Sequence, residues 1–268
     1  MMERDDGRAV AAPAEVATPA ERFDLTGRVA LVTGGSRGLG RAMMLGMAAA
    51  GADVVIASRK LDACRALAER VAESTGRQAL PVACHVGRWG ELEALVEAAY
   101  HRFGRIDVLV NNAGMSPVYP EPAAVSEELW DKVLAVNLKG PFRLMALVGP
   151  RMAEQGGGSI INVSSTASTH PRPDVIPYAA AKAGLNAITQ AFAHAWPSVR
   201  VNAIVPGPFL TDIAKAWDME AFERRAERFA LRRGGRPHEI VGAALYLASD
   251  AASYTTGALL GVDGGYVG

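Results

Sequence analysis

Seven short apolar runs recur along this chain, separated by longer segments, many of them with helical period. They occupy residues 28–33 (RVALVT), 53–58 (DVVIAS), 79–86 (ALPVACHV), 107–110 (DVLV), 159–163 (SIINV), 199–205 (VRVNAIV) and 258–262 (ALLGV). None alternates strictly between polar and apolar, so each reads as a strand covered on both faces, as in a parallel sheet. Helical patterns fill residues 39–50, 61–73, 91–103, 127–152, 178–195 and 237–248, the fourth expected as one long helix bent near Gly140 and Pro141. Parallel neighbours need crossover connections, and helices on both faces supply them. The expected fold class is α/β, a single doubly wound domain with a seven-stranded parallel sheet flanked by helices.

Composition narrows what such a domain can do. The chain has 268 residues, half of them hydrophobic, and 28 basic against 28 acidic residues leave no net charge. Neutrality gives no field to draw in nucleic acid or anionic lipid, so neither is an expected partner. No apolar run reaches the ~18 residues of a membrane span. Cys64 and Cys84 are too few for a disulfide framework or a thiolate metal site. His85, His101, His170, His194 and His238 lack metal-ligand spacing, so no metal is expected. Residues 1–22 mix Ala-Pro pairs with charges and read as a flexible arm, leaving residues 23–268 as the domain. Glu3, Asp5 and Asp6 stand where a secretory signal carries positive charge. A cytoplasmic enzyme or binding protein with a small-molecule partner is the expectation.

The first strand runs into a loop containing Gly34, Ser36, Arg37, Gly38, Leu39 and Gly40, and then a helix. Glycines there permit a tight turn and let backbone N–H groups approach a pyrophosphate at the helix N-terminus. The end of the second strand chooses between nicotinamide cofactors: an acidic residue would bind a ribose 2′-OH, whereas arginine accommodates a 2′-phosphate. Here Ser58 and Arg59 close the strand and no carboxylate occurs before Asp62. NADP(H) is the expected cofactor, with NAD as the alternative.

Further signals follow the later strands. Asn111, Ala113 and Gly114 follow the fourth, Asn137 lies inside VNLK, and Ser165 ends the fifth. Tyr178 and Lys182 lie four apart in YAAAK, on one face of a helix. A phenol ionises near pH ~10, and a lysine ammonium one turn away favours the phenolate. Such a tyrosine could exchange a proton with an alcohol or alkoxide while Ser165 holds the same oxygen.

With these motifs the chain resembles a classical short-chain dehydrogenase/reductase from about residue 23 onward, through TGGSRGLG, NNAG, Asn137, Ser165, YAAAK, and Pro206-Gly207 followed by Thr211. The resemblance implies a Rossmann-type domain that interconverts a secondary alcohol and a ketone. It makes Tyr178 the acid/base, Ser165 the group orienting the carbonyl, and Lys182 the residue that lowers the tyrosine pKa and binds the nicotinamide ribose. It gives Asn137 a water-linked proton relay and Asn111 a role in stabilising the central strands and cofactor pocket. It puts Pro206, Gly207 and Thr211 beside the nicotinamide, and His85 and Val86 at the adenine, His85 departing from the family's usual Asp. A homotetramer or dimer is implied as well.

Residues 209–235 match the family's variable substrate lid. Phe209 and Trp217 are candidate pocket walls or helix core, with Ser116, Val118 and Ser168 as further pocket candidates. The lid arginines, among Glu220, Glu223 and Glu227, read as a solvated face, the alternative being an anionic handle such as phosphopantetheine, CoA or a sugar acid. Expected substrates are 3-oxoacyl thioesters, keto-sugars or sugar acids, or compact cyclic or aromatic ketones. The opposing expectation is a dinucleotide-binding sensor or scaffold without turnover.

Overall fold

The computed structural model describes residues 17–212, 214 and 217–266. Of the expected arm, residues 1–16 lie outside the described residues, as do 213, 215 and 216 of the expected lid. Within the expected arm and its end, Pro19–Phe23 forms a short helix, α1. The Thr18 hydroxyl accepts from the Glu21 N–H at 3.3 Å, and the Glu21 carboxylate accepts from the Thr18 N–H at 2.7 Å, a reciprocal cap that fixes the first turn.

The strands are β1 (Val29–Thr33), β2 (Asp53–Ser58), β3 (Ala79–Ala83), β4 (Val108–Asn111), β5 (Gly158–Val163), β6 (Val199–Pro206) and β7 (Leu259–Val262). They form one seven-stranded sheet in the order β3-β2-β1-β4-β5-β6-β7, every pair parallel. β3 is shorter than its apolar run, and Pro81, which has no N–H for a ladder, is tolerated because β3 is an edge.

The uninterrupted apolar runs follow from burial on both faces. In β1, Ala30 and Val32 pack with Met43, Met44 and Met47 of α2 (Gly38–Ala49) and with Leu247 of α9 (Val241–Ala248). Val29 and Leu31 point the other way, toward Leu95 and Val96 of α4 (Trp89–Phe103) and Leu144 and Met145 of α6 (Gly140–Glu154). Each fully buried Leu or Met contributes about 1.5–3 kcal/mol. α3 (Leu61–Thr75) packs beside β2 and β3.

The expected long helix is three pieces on one path: α5 (Glu127–Leu134), a π turn over Ala135–Lys139, and α6. The widening sits just ahead of Pro141, whose missing N–H leaves the Asn137 carbonyl without its usual donor four residues on. Gly140 lets this path run against the end of the third strand's loop, since a Cβ there would lie 2.4 Å from the Val86 carbonyl oxygen. α7 (Ile176–Phe192) begins two residues before the expected start, with Pro177 in its first turn. Within the lid, α8 covers Met219–Ala226.

Strand order reverses between β1 and β4, whose following loops diverge and open a crevice at the carboxyl edge of the sheet. The functional residues gather there.

Candidate active site

One cavity of about 1030 Å³ runs across this edge. At one end lies the glycine loop. Gly34 has φ +62° and Gly38 φ +54°, a region that favours glycine. A Cβ on Gly34 would lie 2.9 Å from both the Ala113 Cα and the Asn112 side-chain nitrogen. Gly40 does not reach the cavity wall; its role is packing, because its Cβ would meet the Gly34 carbonyl oxygen at 2.3 Å. Arg37 precedes α2 without a capping side-chain bond, so the helix's first N–H groups have no side-chain acceptor there. This cradle suits a pyrophosphate.

At the end of β2, the Ser36 hydroxyl donates to the Ser58 hydroxyl at 3.0 Å, and Arg37, Arg59 and Lys60 line the same wall. Among the described residues, none of these three cations has a carboxylate within ion-pair distance. Hydroxyls and uncommitted cations together form a receptor for a dianion rather than for a ribose hydroxyl alone. His85 and Val86 also line this end. The His85 Nδ1 accepts from the Gly87 N–H at 3.1 Å, which places a neutral ring's proton on Nε2 as a donor.

Beyond β4, Ala113 and Gly114 line the cavity as expected, but Asn111 does not. Asn111 is the last residue of the β4 ladder, and its amide donates to the Asn162 side chain of β5 at 2.9 Å. Asn112, one residue on, is the asparagine that shapes the cradle, donating to the carbonyls of Thr33 at 2.9 Å and Gly34 at 3.2 Å. Asn137 is wholly buried and its side chain is fully occupied. Its amide donates to the carbonyls of Met115 at 2.8 Å and Val133 at 2.9 Å, and its oxygen accepts from the Met115 N–H at 3.3 Å. Asn137 therefore pins the loop after Gly114 from behind and does not itself line the cavity.

Ser165, Tyr178 and Lys182 meet in the middle of the cavity wall. The 3-10 turn Pro173–Val175 leads into α7 and presents Tyr178 in its first turn. Burial pushes the Tyr178 phenol above the ordinary tyrosine range, while a hydrogen bond from the Ser165 hydroxyl pulls against that rise. The Lys182 Nζ donates to the Val163 carbonyl at 2.6 Å and lies 5.7 Å from the centroid of the tyrosine ring. Burial brings its ammonium down to about 7. Burial, rather than the lysine charge expected from the Tyr178–Lys182 spacing, dominates both groups in the folded chain, so Tyr178 holds its proton at neutral pH.

Pro206, Gly207 and Thr211 line the cavity beyond β6. Gly207 is required by packing, since a Cβ would fall 2.7 Å from the Asp263 Cα. Ser116, Val118, Phe209 and Trp217 line the cavity, and Ser168 does not. Its hydroxyl donates to the Ser165 carbonyl at 2.6 Å and accepts from the Asn186 amide at 2.9 Å, bracing the loop that carries Ser165.

The lid end also holds Arg225, one of the lid arginines, together with His170, Arg172, Asp174 and Tyr266, which carry no sequence signal for this site. They come from three distant segments, joined where the Ala230 and Leu231 N–H groups donate to the Gly265 and Gly264 carbonyls at 3.2 and 2.9 Å. Trp217, Phe222, Phe229 and Tyr266 pack ring against ring beside them. No group of three or more His, Cys, Asp or Glu side chains suited to a metal occurs among the described residues. None of the described helices is long and apolar enough to cross a membrane.

The family model described as enoyl-(acyl carrier protein) reductase matches residues 34–267. A 3-oxoacyl-(acyl-carrier-protein) reductase from Thermotoga maritima is 38% identical over 248 residues, covering 91% of this chain and 99% of its own. The solved gluconate 5-dehydrogenase from Burkholderia cenocepacia, in complex with NADP and tartrate, superposes with a TM-score of 0.88 at 35% identity, covering 92% of this chain and 98% of its own. A 7α-hydroxysteroid dehydrogenase solved with NADH and 7-oxo glycochenodeoxycholic acid gives a TM-score of 0.89 at 32% identity, covering 94% of this chain and 98% of its own.

Proposed function

The chain belongs to the classical short-chain dehydrogenase/reductase family, and on that premise we propose that it is an NADP(H)-dependent oxidoreductase interconverting a secondary alcohol and a ketone, with Tyr178 as general acid/base. The observation that carries this reading is the joining of Ser165, Tyr178 and buried Lys182 to the glycine cradle within one cavity. A sensor or scaffold has no need of a protonated phenol hydrogen-bonded to a hydroxyl beside a buried ammonium.

The cradle would hold the pyrophosphate on the first N–H groups of α2, and Ser36, Ser58, Arg37 and Arg59 would hold the 2′-phosphate. Bound NADPH supplies the hydride. Ser165 and Tyr178 together hold the substrate oxygen, and the phenol, kept protonated by burial, donates its proton to the developing alkoxide. Lys182 stands behind the tyrosine and is close to half-charged near neutral pH, so it can pass a proton on without a large free-energy step. In the oxidative direction the phenol must first ionise, and the Ser165 hydroxyl favours that ionisation. The binding of NADP in one relative and NADH in another keeps NAD as the second possibility. The uncommitted cations at the end of β2 favour NADP.

The test is reduced-cofactor consumption, with NADPH and NADH side by side, over keto-sugars, 3-oxoacyl thioesters, oxo acids and cyclic diketones. Turnover preferring NADPH and lost in Tyr178→Phe is the expected result. NADPH binding without turnover of any ketone would return the sensor reading. A homotetramer or dimer belongs to the same proposal, and sedimentation of the purified chain checks it.

A further inference from the structure

The lid end of the cavity contains a guanidinium that the protein leaves uncommitted. Among the described residues, Arg172 has Asp174, Arg224 has Glu220 and Arg233 has Glu239, whereas Arg228 and Arg232 have no carboxylate but do not line the cavity. Arg225 has none. Its Nε is buried without a hydrogen-bond partner, although the side chain lines the cavity. A buried donor left unmatched costs about 1–3 kcal/mol, more when it is charged.

The carboxylates facing this end are already engaged. Asp174 lies within the field of Arg225 but is held by two bonds from Arg172, whose guanidinium also meets the Tyr266 hydroxyl. Asp218 caps α8, accepting from the Ala221 N–H at 3.0 Å, and Asp212 is not free either. Lys132 of α5 also lines the cavity, without a carboxylate partner among the described residues. The Arg225 guanidinium lies 5.7 Å from the Phe222 ring, beside the aromatic cluster of the lid, and partial burial strengthens a charged hydrogen bond there. Arg172 and Asp174 stand in the segment between Ser165 and Tyr178 and line the same cavity as both.

We propose that Arg225 is a specificity-determining residue that binds a carboxylate on the substrate, making the substrate an oxo acid or hydroxy acid. This rests on the oxidoreductase reading above and narrows its substrate class. Arg172, with Asp174 and Tyr266, positions the wall against which that carboxylate seats.

The test compares oxo acids of graded length, such as 4-oxopentanoate and 5-oxohexanoate, with their primary amides, which keep the shape and lose the charge. Arg225→Gln is compared with wild type and with Arg224→Gln, an exposed neighbour paired on the surface. In Arg225→Gln, kcat/KM for the acids is expected to fall about 10- to 100-fold, chiefly through KM, the size of a lost charged hydrogen bond of ~1.5–3 kcal/mol. The amides and Arg224→Gln should stay within about twofold of wild type, which also shows that the variant folds. Equal losses on acid and amide, or an undiminished acid preference in Arg225→Gln, would overturn the proposal. Titration calorimetry of the same compounds with NADP⁺, which does not turn over a ketone, separates the two claims. Acid-selective, Arg225-dependent binding without any reduction would sink the oxidoreductase reading and keep the carboxylate site. Reduction without selective binding would do the reverse.

Discussion

The tightest backbone approach in the cradle gives the sharpest prediction. Gly40 lies in α2, where alanine is ordinarily better than glycine by about 1 kcal/mol. Its Cβ would nevertheless fall 2.3 Å from the Gly34 carbonyl oxygen and 2.4 Å from the Asn112 amide nitrogen. In Gly40→Ala these atoms must retreat by roughly 1 Å, an overpacking that costs about 1–3 kcal/mol. The retreat breaks the Asn112 bonds to the Thr33 and Gly34 carbonyls, each contributing ~1 kcal/mol. Net of the helix gain, the loss is ~2–4 kcal/mol, or a fall in Tm of about 4–16 °C for a domain of this size. Gly242→Ala is the control, a helical glycine whose Cβ would meet nothing within 4 Å, and it should stabilise by about 0.5–1 kcal/mol. The assay is thermal unfolding with and without NADPH. Wild type and Gly242→Ala should gain ~2.7 kcal/mol at a cofactor concentration 100 times Kd, and Gly40→Ala much less. A Gly40→Ala protein as stable as wild type, and equally stabilised by NADPH, would refute the packing argument for this cradle.

Three further outcomes follow from the site. Ser165→Ala removes the hydroxyl that pulls the Tyr178 phenol down, so the pH profile of alcohol oxidation should move to higher pH as overall activity falls, and an unmoved profile would contradict that role. Lys182 titrates at about 7 when folded and near its ordinary value of 10.5 when unfolded. Between those values the unfolded chain binds more protons, so this residue's contribution to stability rises with pH through that window. Denaturant unfolding of Lys182→Met should accordingly show a shallower rise from neutral to alkaline pH than wild type. Arg59→Asp should shift cofactor preference from NADPH toward NADH by at least ~10-fold in kcat/KM, the size of one charge-assisted contact.

Much of the cradle was legible because its chemistry is local. The glycine spacing encodes two left-handed backbone positions and one close packing contact, and the Tyr178–Lys182 spacing is one helical turn. The seven-stranded parallel sheet followed from short apolar runs joined by helices, whereas the strand order did not. Asn111 ties the central strands together through Asn162, as the resemblance implied, while the adjacent Asn112 rather than Asn111 lines the cavity. The Asn137 side chain holds the Met115 backbone, a bracing role its motif does not announce. The π turn has no marker of its own beyond the Pro141 that follows it. Arg172, Arg225 and Tyr266 were invisible as a group, since only the docking of the lid on the C-terminal segment brings them together.

The central claim is that Tyr178 donates the proton that completes ketone reduction. The most direct measurement is single-turnover NADPH oxidation with a competent ketone in wild type and Tyr178→Phe, with NADPH affinity measured on both. The account predicts unchanged cofactor binding and a chemical step slowed by at least ~100-fold, the lower range of general-acid catalysis. A Tyr178→Phe enzyme that binds NADPH and reduces the ketone at the wild-type rate would contradict it.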